Sequence, residues 1–198
     1  GLFRLINGRS GPGARLAGHV IIATIPVVAV GFVARDYIAI YLRDVEIIAW
    51  ATIVFGLLLW IADYLGMTMR RVEHLNNGHV LFIGLAQVLA LVPGCSRSGI
   101  TMTAGRLLGM ERTEAARFSM LLSIPVILGA GVLAGAELTL SGNVQLGQET
   151  LLSAGLAFVT GLMAIAIMMN WLRRARYTPF VLYRLALGGV LLYWIYLT

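Results

Sequence analysis

Long hydrophobic runs alternate with short polar segments along the chain. Five runs are about 18 to 22 residues long, enough at roughly 1.5 Å per residue to cross a hydrocarbon core of about 30 Å. The runs cover residues 16–34, 45–66, 115–136, 151–172 and 178–197. This pattern predicts an all-α polytopic membrane protein that forms a single integral membrane domain over residues 1–198.

The region between the second and third runs breaks the pattern. Residues 79–92, HVLFIGLAQVLALV, are apolar but only 14 residues long, which is short for a spanning helix. The segment VPGCSRSGIT follows at 92–101, and a short semi-apolar run interrupted by Arg106 comes after it. Two short segments around a Pro-Gly break predict a re-entrant helical hairpin over residues 79–110, with VPGCSRSGIT as its tip near mid-membrane.

Composition supports a membrane protein and narrows the class of partner. Hydrophobic residues make up 59% of the chain and charged residues 12%, with a mean hydropathy of +0.87. The net charge of +6 comes from arginine alone, because the chain has no lysine. No basic soluble module accompanies this charge, so we expect no nucleic-acid partner. The excess is instead typical of cytoplasmic loops.

The positions of the arginines predict how the hairpin is oriented. If residues 79–110 return to the side they enter from, eleven of the fifteen arginines fall on one face of the membrane. These are Arg4, Arg9, Arg15, Arg70, Arg71, Arg106, Arg112, Arg117, Arg173, Arg174 and Arg176. A single crossing would place the RRAR segment at 173–176 outside, against the positive-inside tendency. We therefore expect the hairpin to open to the cytoplasmic side.

The residues of the tip are suited to binding an anion. Irregular backbone at membrane depth must be buried in protein or line a wet cavity, because unpaired peptide groups are costly in lipid. Pro93 and Gly94 stop the entering helix, and a second half-helix is predicted to begin near Ile100. A helix N-terminus offers free N–H groups and a partial positive charge. The predicted ligand is therefore a phosphate group.

Arg97 is the central candidate within the tip. A guanidinium binds two phosphate oxygens in one plane, and an arginine inside a membrane is functional by default because it is costly there. The alternative is a structural arginine that is paired with a buried carboxylate or extends to the membrane interface. Gln87 lies ten residues earlier, where its amide would orient Arg97 or a water molecule, or would bond to a neighbouring helix.

The segment QVLALVPGCSRSGIT at 87–101 resembles the P-G-x-S-R-S-x-x-T signature of the bacterial undecaprenyl-diphosphate phosphatase family, the bacitracin-resistance proteins. Residues 19–31, 105–131 and 180–192 are also similar to that family. The resemblance implies an enzyme of the bacterial plasma (inner) membrane that removes the terminal phosphate of undecaprenyl diphosphate and recycles the lipid carrier of peptidoglycan synthesis. It also implies an inverted-repeat fold.

The resemblance further implies which residues form the site. Catalytic roles fall on Ser96, Arg97, Ser98 and Thr101. Phosphate contacts fall on Gly94, Arg97, Ser98, Gly99 and Thr101. A divalent cation, Mg²⁺ or Ca²⁺, is implied as well, but the family's first motif, a Glu-x-x-x-Glu helix followed by a serine-rich turn ending in Gly-His, does not occur in this sequence. We expect that motif in an upstream segment of the protein, and the metal ligands with it.

Two further alternatives follow from the residues. A transporter or flippase for an anionic lipid or phosphate would use a similar re-entrant tip. A lipid phosphatase in which a Ser-Arg pair precedes a catalytic histidine is excluded, because no histidine follows His79. Small residues four apart, Gly105 with Gly109 and Gly131 with Gly135, indicate close helix contacts, and a homodimer is one arrangement that would use them.

Overall fold

The computed structural model of the protein describes residues 11–66, 69–141 and 144–197. Within these residues the chain forms eight α-helices, and the predicted all-α class is confirmed. The helices are α1 Pro12–Val33, α2 Arg35–Tyr41, α3 Val45–Leu65, α4 Asn77–Val88, α5 Arg97–Leu107, α6 Arg112–Ser141, α7 Val144–Leu172 and α8 Thr178–Leu197. Short 3₁₀ turns occur at Val72–His74 and Leu89–Leu91. Arg4 and Arg9 lie outside the described residues.

Five segments of these helices are long and apolar enough to cross a membrane. They are Gly13–Val33, Val45–Leu65, Arg112–Val132, Thr150–Leu172 and Thr178–Leu197. Each predicted run agrees with its segment to within four residues at either end. Large apolar side chains such as Phe32, Leu151 and Phe158 are exposed on their surfaces, as lipid-facing residues would be. The protein is therefore a multi-pass membrane protein.

Helix α5 lies in the middle of the packed part of the molecule. It contacts α3, α4 and α6, while α8 packs along α3 and α1 packs along α4. Ala104 of α5 belongs to a buried cluster with Ile83 and Phe118. Met102, on another side of the same helix, belongs to a second buried cluster with Leu59 and other residues. Helix α5 is consequently held by apolar packing on two of its sides.

Helices α4 and α5 form a hairpin whose two open ends lie together. The backbone N–H of Arg70, before α4, donates to the carbonyl of Gly109, after α5, at 2.9 Å. The N–H of Glu111 donates back to the carbonyl of Arg70, also at 2.9 Å. The chain therefore enters and leaves this segment at one end of the helix bundle. The depth of the hairpin in a bilayer and the inverted repeat remain predictions.

A cluster of polar side chains around the buried carboxylate of Asp63 connects the elements at the open end of this hairpin. The carboxylate of Asp63 accepts a hydrogen bond from Nε of Arg112 at 2.7 Å and lies 3.2 Å from Nε of Arg106. Arg106 is fully buried and donates to the carbonyl of Gly66 at 2.7 Å. The Tyr177 hydroxyl donates to the carbonyl of Arg112 at 2.7 Å. We call Asp63, Arg106, Arg112 and Tyr177 the base cluster.

Candidate functional site

The tip of the hairpin has a backbone conformation that only some residues adopt. Gly94 has φ of +88°, and a Cβ atom there would overlap the carbonyl oxygen of Ile48 in α3. Ser96 has φ of +61° and is the one non-glycine residue in the described ranges with a positive φ. Such a conformation costs on the order of 1–3 kcal/mol and persists only where the surroundings impose it. The tip is therefore a fixed, strained turn packed against α3.

Helix α5 begins at this turn with Arg97, three residues before the predicted start near Ile100. Ser96 caps the helix, because its Oγ accepts a hydrogen bond from the N–H of Gly99 at 3.3 Å. The first bond within the helix runs from the N–H of Ile100 to the carbonyl of Ser96 at 3.0 Å. The N–H groups of Arg97 and Ser98 therefore precede the helical ladder and have no helical carbonyl to bind.

Arg97 contacts an amide and no carboxylate in the part of the chain that the structure describes. Its Nε donates to Oε1 of Gln87 at 3.2 Å, and Gln87 is fully buried. Nη2 of Arg97 and Nε2 of Gln87 are buried without a hydrogen-bond partner among those residues. The predicted contact between Gln87 and Arg97 is thus present, whereas a pairing of Arg97 with a buried carboxylate is not found there.

Thr101 is oriented toward its own helix and α6. Its Oγ lies 3.0 Å from the carbonyl oxygen of Arg97 and 2.7 Å from the hydroxyl of Ser119 in α6. Only 2% of Thr101 is exposed. These contacts tie the first turn of α5 to α6. A direct contact between Thr101 and phosphate remains a prediction.

A cavity of about 550 Å³ opens beside the tip. Its polar end is formed by Gly94, Ser96, Ser98 and Gly99, four of the predicted site residues. The remaining wall is largely apolar and includes Leu59, Met102, Met168, Leu172, Phe180 and Leu187. Thr52 and Leu59 both line the cavity. They are seven positions apart in α3, so the cavity extends about 10 Å along that helix. Arg97 and Thr101 lie outside the lining.

Arg184, in α8, is absent from the site residues that the sequence predicts, yet it lines the same cavity. Only 9% of it is exposed. Its Nη2 donates to the carbonyl of Gly94 and to that of Cys95 at 2.8 Å. The signal for it was an arginine inside the apolar run FVLYRLALGGVLL, because a charge within a spanning segment is costly and marks a functional position.

The donor set around the tip does not match a divalent cation. Mg²⁺ and Ca²⁺ prefer oxygen ligands, above all carboxylates. The cavity lining contains one arginine and no carboxylate or histidine among the described residues, and those residues hold no cluster of three or more His, Cys, Asp or Glu side chains. Asp63 is engaged by the two arginines of the base cluster. The expected cation therefore remains a prediction, with no ligands assigned to it here.

Fold and site together describe a multi-pass membrane protein in which the start of α5, with its serine hydroxyls, lies beside an apolar cavity. The family model of the bacitracin resistance protein BacA matches residues 2–190. The match covers far more than half of the chain. The protein belongs to this family.

Several curated proteins are similar over most of the chain. Undecaprenyl-diphosphatase 1 of Rhodospirillum rubrum is 48% identical over 198 residues, which is 100% of this chain and 70% of that protein. Undecaprenyl-diphosphatase of Alteromonas mediterranea is 50% identical over 92% of this chain and 69% of its own length. The enzyme of that name from Ruegeria pomeroyi is 44% identical over 97% of this chain and 73% of its own length.

Proposed function

We propose that the protein is an undecaprenyl-diphosphatase. It hydrolyses undecaprenyl diphosphate to undecaprenyl phosphate and inorganic phosphate, and so recycles the lipid carrier of peptidoglycan synthesis in the bacterial inner membrane. The observation that carries the proposal is the start of α5, where Ser96 and Ser98 line an apolar cavity and Arg97 is the first residue of the helix. The names of the similar proteins support the same substrate.

The first part of the proposal concerns the diphosphate group. Arg97 is the first residue of α5, so its charge adds to the partial positive charge of the helix N-terminus. The N–H groups of Arg97 and Ser98 and the Ser98 hydroxyl are further donors for phosphate oxygens. Phosphoryl transfer depends chiefly on positioning and on stabilising the charge that develops. Fixed donors at this turn provide that kind of stabilisation.

The second part concerns the lipid tail. Side chains of Leu59, Met102 and Leu172 form part of an apolar wall that continues from the tip. Burial of a hydrocarbon chain against such a wall contributes about 0.8 kcal/mol per CH₂ group that is removed from water. The contribution is smaller for a lipid tail, because the tail leaves the apolar interior of the bilayer and not water. The wall therefore guides the first isoprene units more than it determines affinity. A substrate with a charged head and an apolar tail matches both ends of the cavity.

The described residues do not supply every group that hydrolysis needs. Ser96 Oγ accepts the N–H of Gly99, so we assign it capping and phosphate binding ahead of nucleophilic attack. A nucleophile or a water molecule also needs a proton acceptor, and the cavity lining contains no histidine or carboxylate in the ranges described. We therefore assign no general base to these residues.

The experiment that tests the proposal is phosphate release from undecaprenyl diphosphate by the purified protein in detergent. The wild type should produce undecaprenyl phosphate and inorganic phosphate in equal amounts. Arg97→Ala should lower the rate by a factor of about 10³, because a fixed positive charge at the reacting group is lost. Arg176→Gln removes an exposed arginine of the loop before α8 and serves as the control with unchanged rate.

A different outcome would identify a different class of protein. Lipid binding or movement across vesicles without phosphate release would contradict the enzyme and would fit a transporter or flippase of an anionic lipid. Phosphate release that is unaffected by Arg97→Ala would place the active site away from the tip.

A further inference from the structure

We propose that Arg184 is a second phosphate-binding arginine, which holds the diphosphate from the cavity side of the tip. The inference rests on the proposed function, since the diphosphate is its ligand. Arg184 is the one charged side chain among the described residues that line the cavity. It reaches the tip from α8, which is 90 residues away along the chain from Gly94.

The hydrogen bonds of Arg184 fix one edge of its guanidinium and leave another edge free. Nη2 donates to the carbonyls of Gly94 and Cys95. Nη1 is buried and has no hydrogen-bond partner among the residues described. A buried charged donor without an acceptor is costly, and the two neutral carbonyls leave the positive charge uncompensated. An anionic oxygen at Nη1 would remove both costs.

Gly99 allows Nη1 of Arg184 to lie close to the start of α5. A Cβ atom at Gly99 would lie 2.8 Å from Nη1 of Arg184, which is closer than nonbonded atoms approach. Gly99 is in the first turn of α5, where alanine would favour the helix by about 1 kcal/mol. The absence of a side chain thus lets the Arg184 guanidinium lie against the first turn of α5, where Arg184, Gly99 and Ser98 line the same cavity. A phosphate group bound at this end of the cavity would contact both Arg184 and Ser98.

Arg184 and Arg97 flank the tip from different sides. Arg97 extends toward Gln87 of α4 and lies outside the cavity lining, whereas Arg184 extends from α8 into that lining. A diphosphate carries two charged groups, and two arginines on two sides of one turn can neutralise both. Arg184 therefore contributes to binding of the diphosphate, separately from Arg97.

Inorganic pyrophosphate is the probe for this site, because it has the charged groups of the lipid without its tail. In the full chain in detergent, Arg184→Gln should weaken inhibition by pyrophosphate about tenfold or more and should raise KM for undecaprenyl diphosphate similarly, because one charged donor is lost. Gly99→Ala should have the same direction of effect, because its methyl group displaces Nη1 while the Nη2 bonds remain. Arg176→Gln, an exposed arginine, is the matched control and should leave both values unchanged.

A purely structural Arg184 would give another result. In that case Arg184→Gln and Gly99→Ala lower the melting temperature but keep the inhibition constant for pyrophosphate within about twofold of the wild-type value. Arg184 then only holds the carbonyls of the tip, and the inference is wrong. If Arg184→Gln does not fold, Gly99→Ala alone decides between the two results. Direct calorimetry of pyrophosphate binding separates the failure of this inference from that of the proposed function, because binding is measured without hydrolysis.

Discussion

Each end of helix α5 has two arginines close to it that are buried or half-buried, but the partners of these arginines differ between the two ends. At the base cluster, Arg106 and Arg112 share the carboxylate of Asp63. At the tip, Arg97 bonds an amide and Arg184 bonds two carbonyls. We therefore expect the charge of the partner, and not burial alone, to distinguish a structural arginine from one that binds a ligand.

The energetics of the two ends follow from this difference. A buried ion pair with further hydrogen bonds balances most of its own desolvation cost, and removal of one partner is strongly destabilising. A buried arginine that meets only neutral groups keeps an uncompensated charge, which an anion would neutralise. The base cluster is therefore expected to determine the stability of the fold, whereas the tip is expected to determine the catalytic activity.

The largest expected effect on stability is that of a substitution in the base cluster. Asp63→Asn removes the carboxylate that two arginines share and should lower the free energy of unfolding by about 3–5 kcal/mol. Chemical unfolding in detergent measures this change. Glu73→Gln, at an exposed residue, is the control, with an expected change within about 0.5 kcal/mol. If Asp63→Asn lowers the free energy of unfolding by less than about 1 kcal/mol, Asp63 is not the essential counter-ion of the arginines in the base cluster.

Gln87→Glu would place a buried carboxylate beside Arg97, as Asp63 is placed beside the arginines of the base cluster. A carboxylate at residue 87 would pair with Arg97 and neutralise the guanidinium charge that we expect to bind phosphate. We expect phosphate release to fall about 100-fold, with a melting temperature that is unchanged or higher. Gln87→Met, which keeps the shape without a charge, should lose less activity. Full activity in Gln87→Glu would show that the free charge of Arg97 is not required.

A smaller effect is expected for the hydroxyl pair that ties α5 to α6. Thr101→Val and Ser119→Ala should each lower the free energy of unfolding by about 1 kcal/mol, because one buried hydrogen bond is lost. The double variant should cost less than the sum, since the two residues share that bond. If Thr101 instead contacts phosphate, Thr101→Val should raise KM and Ser119→Ala should not.

The smallest effect concerns Tyr177 of the base cluster at alkaline pH. Burial raises the pKa of its phenol, and the carboxylate of Asp63 raises the pKa further. The unfolded phenol ionises at about pH 10 whereas the folded phenol stays neutral, so this residue's stabilisation is complete below about pH 10 and is lost above it. The stability difference between wild type and Tyr177→Phe, about 1 kcal/mol at neutral pH, should therefore shrink in alkali. Tyr64→Phe, an exposed tyrosine, should show no such change.

Local pattern in the sequence was enough for the helices and for the composition of the tip. The five apolar runs predicted the spanning segments because length and hydropathy are properties of neighbouring residues. The Pro-Gly break likewise predicted the turn at the tip, whereas the binding of an anion there stays a prediction. The start of α5 was placed too late, because the cap is Ser96 in a positive-φ conformation that residue type does not favour.

Contacts between distant parts of the chain could not be predicted in this way. Asp63 and Arg112 are 49 residues apart, and the apolar runs between them do not specify which helices are neighbours. Arg184 stands out in the sequence as a charge within a spanning run, but only the packing of α8 on α3 shows that it reaches Gly94. The orientation of Thr101 toward Ser119 depends on the position of α6 in the same manner.

The most direct measurement is an experimental structure of the full protein with inorganic pyrophosphate or a non-hydrolysable analogue of undecaprenyl diphosphate. We predict that the phosphate groups lie in the cavity at the start of α5, with oxygens within about 3 Å of Ser98 and of a guanidinium nitrogen of Arg97 or Arg184. Phosphate bound at the arginine-rich base, with the cavity beside the tip empty, would contradict the central claim.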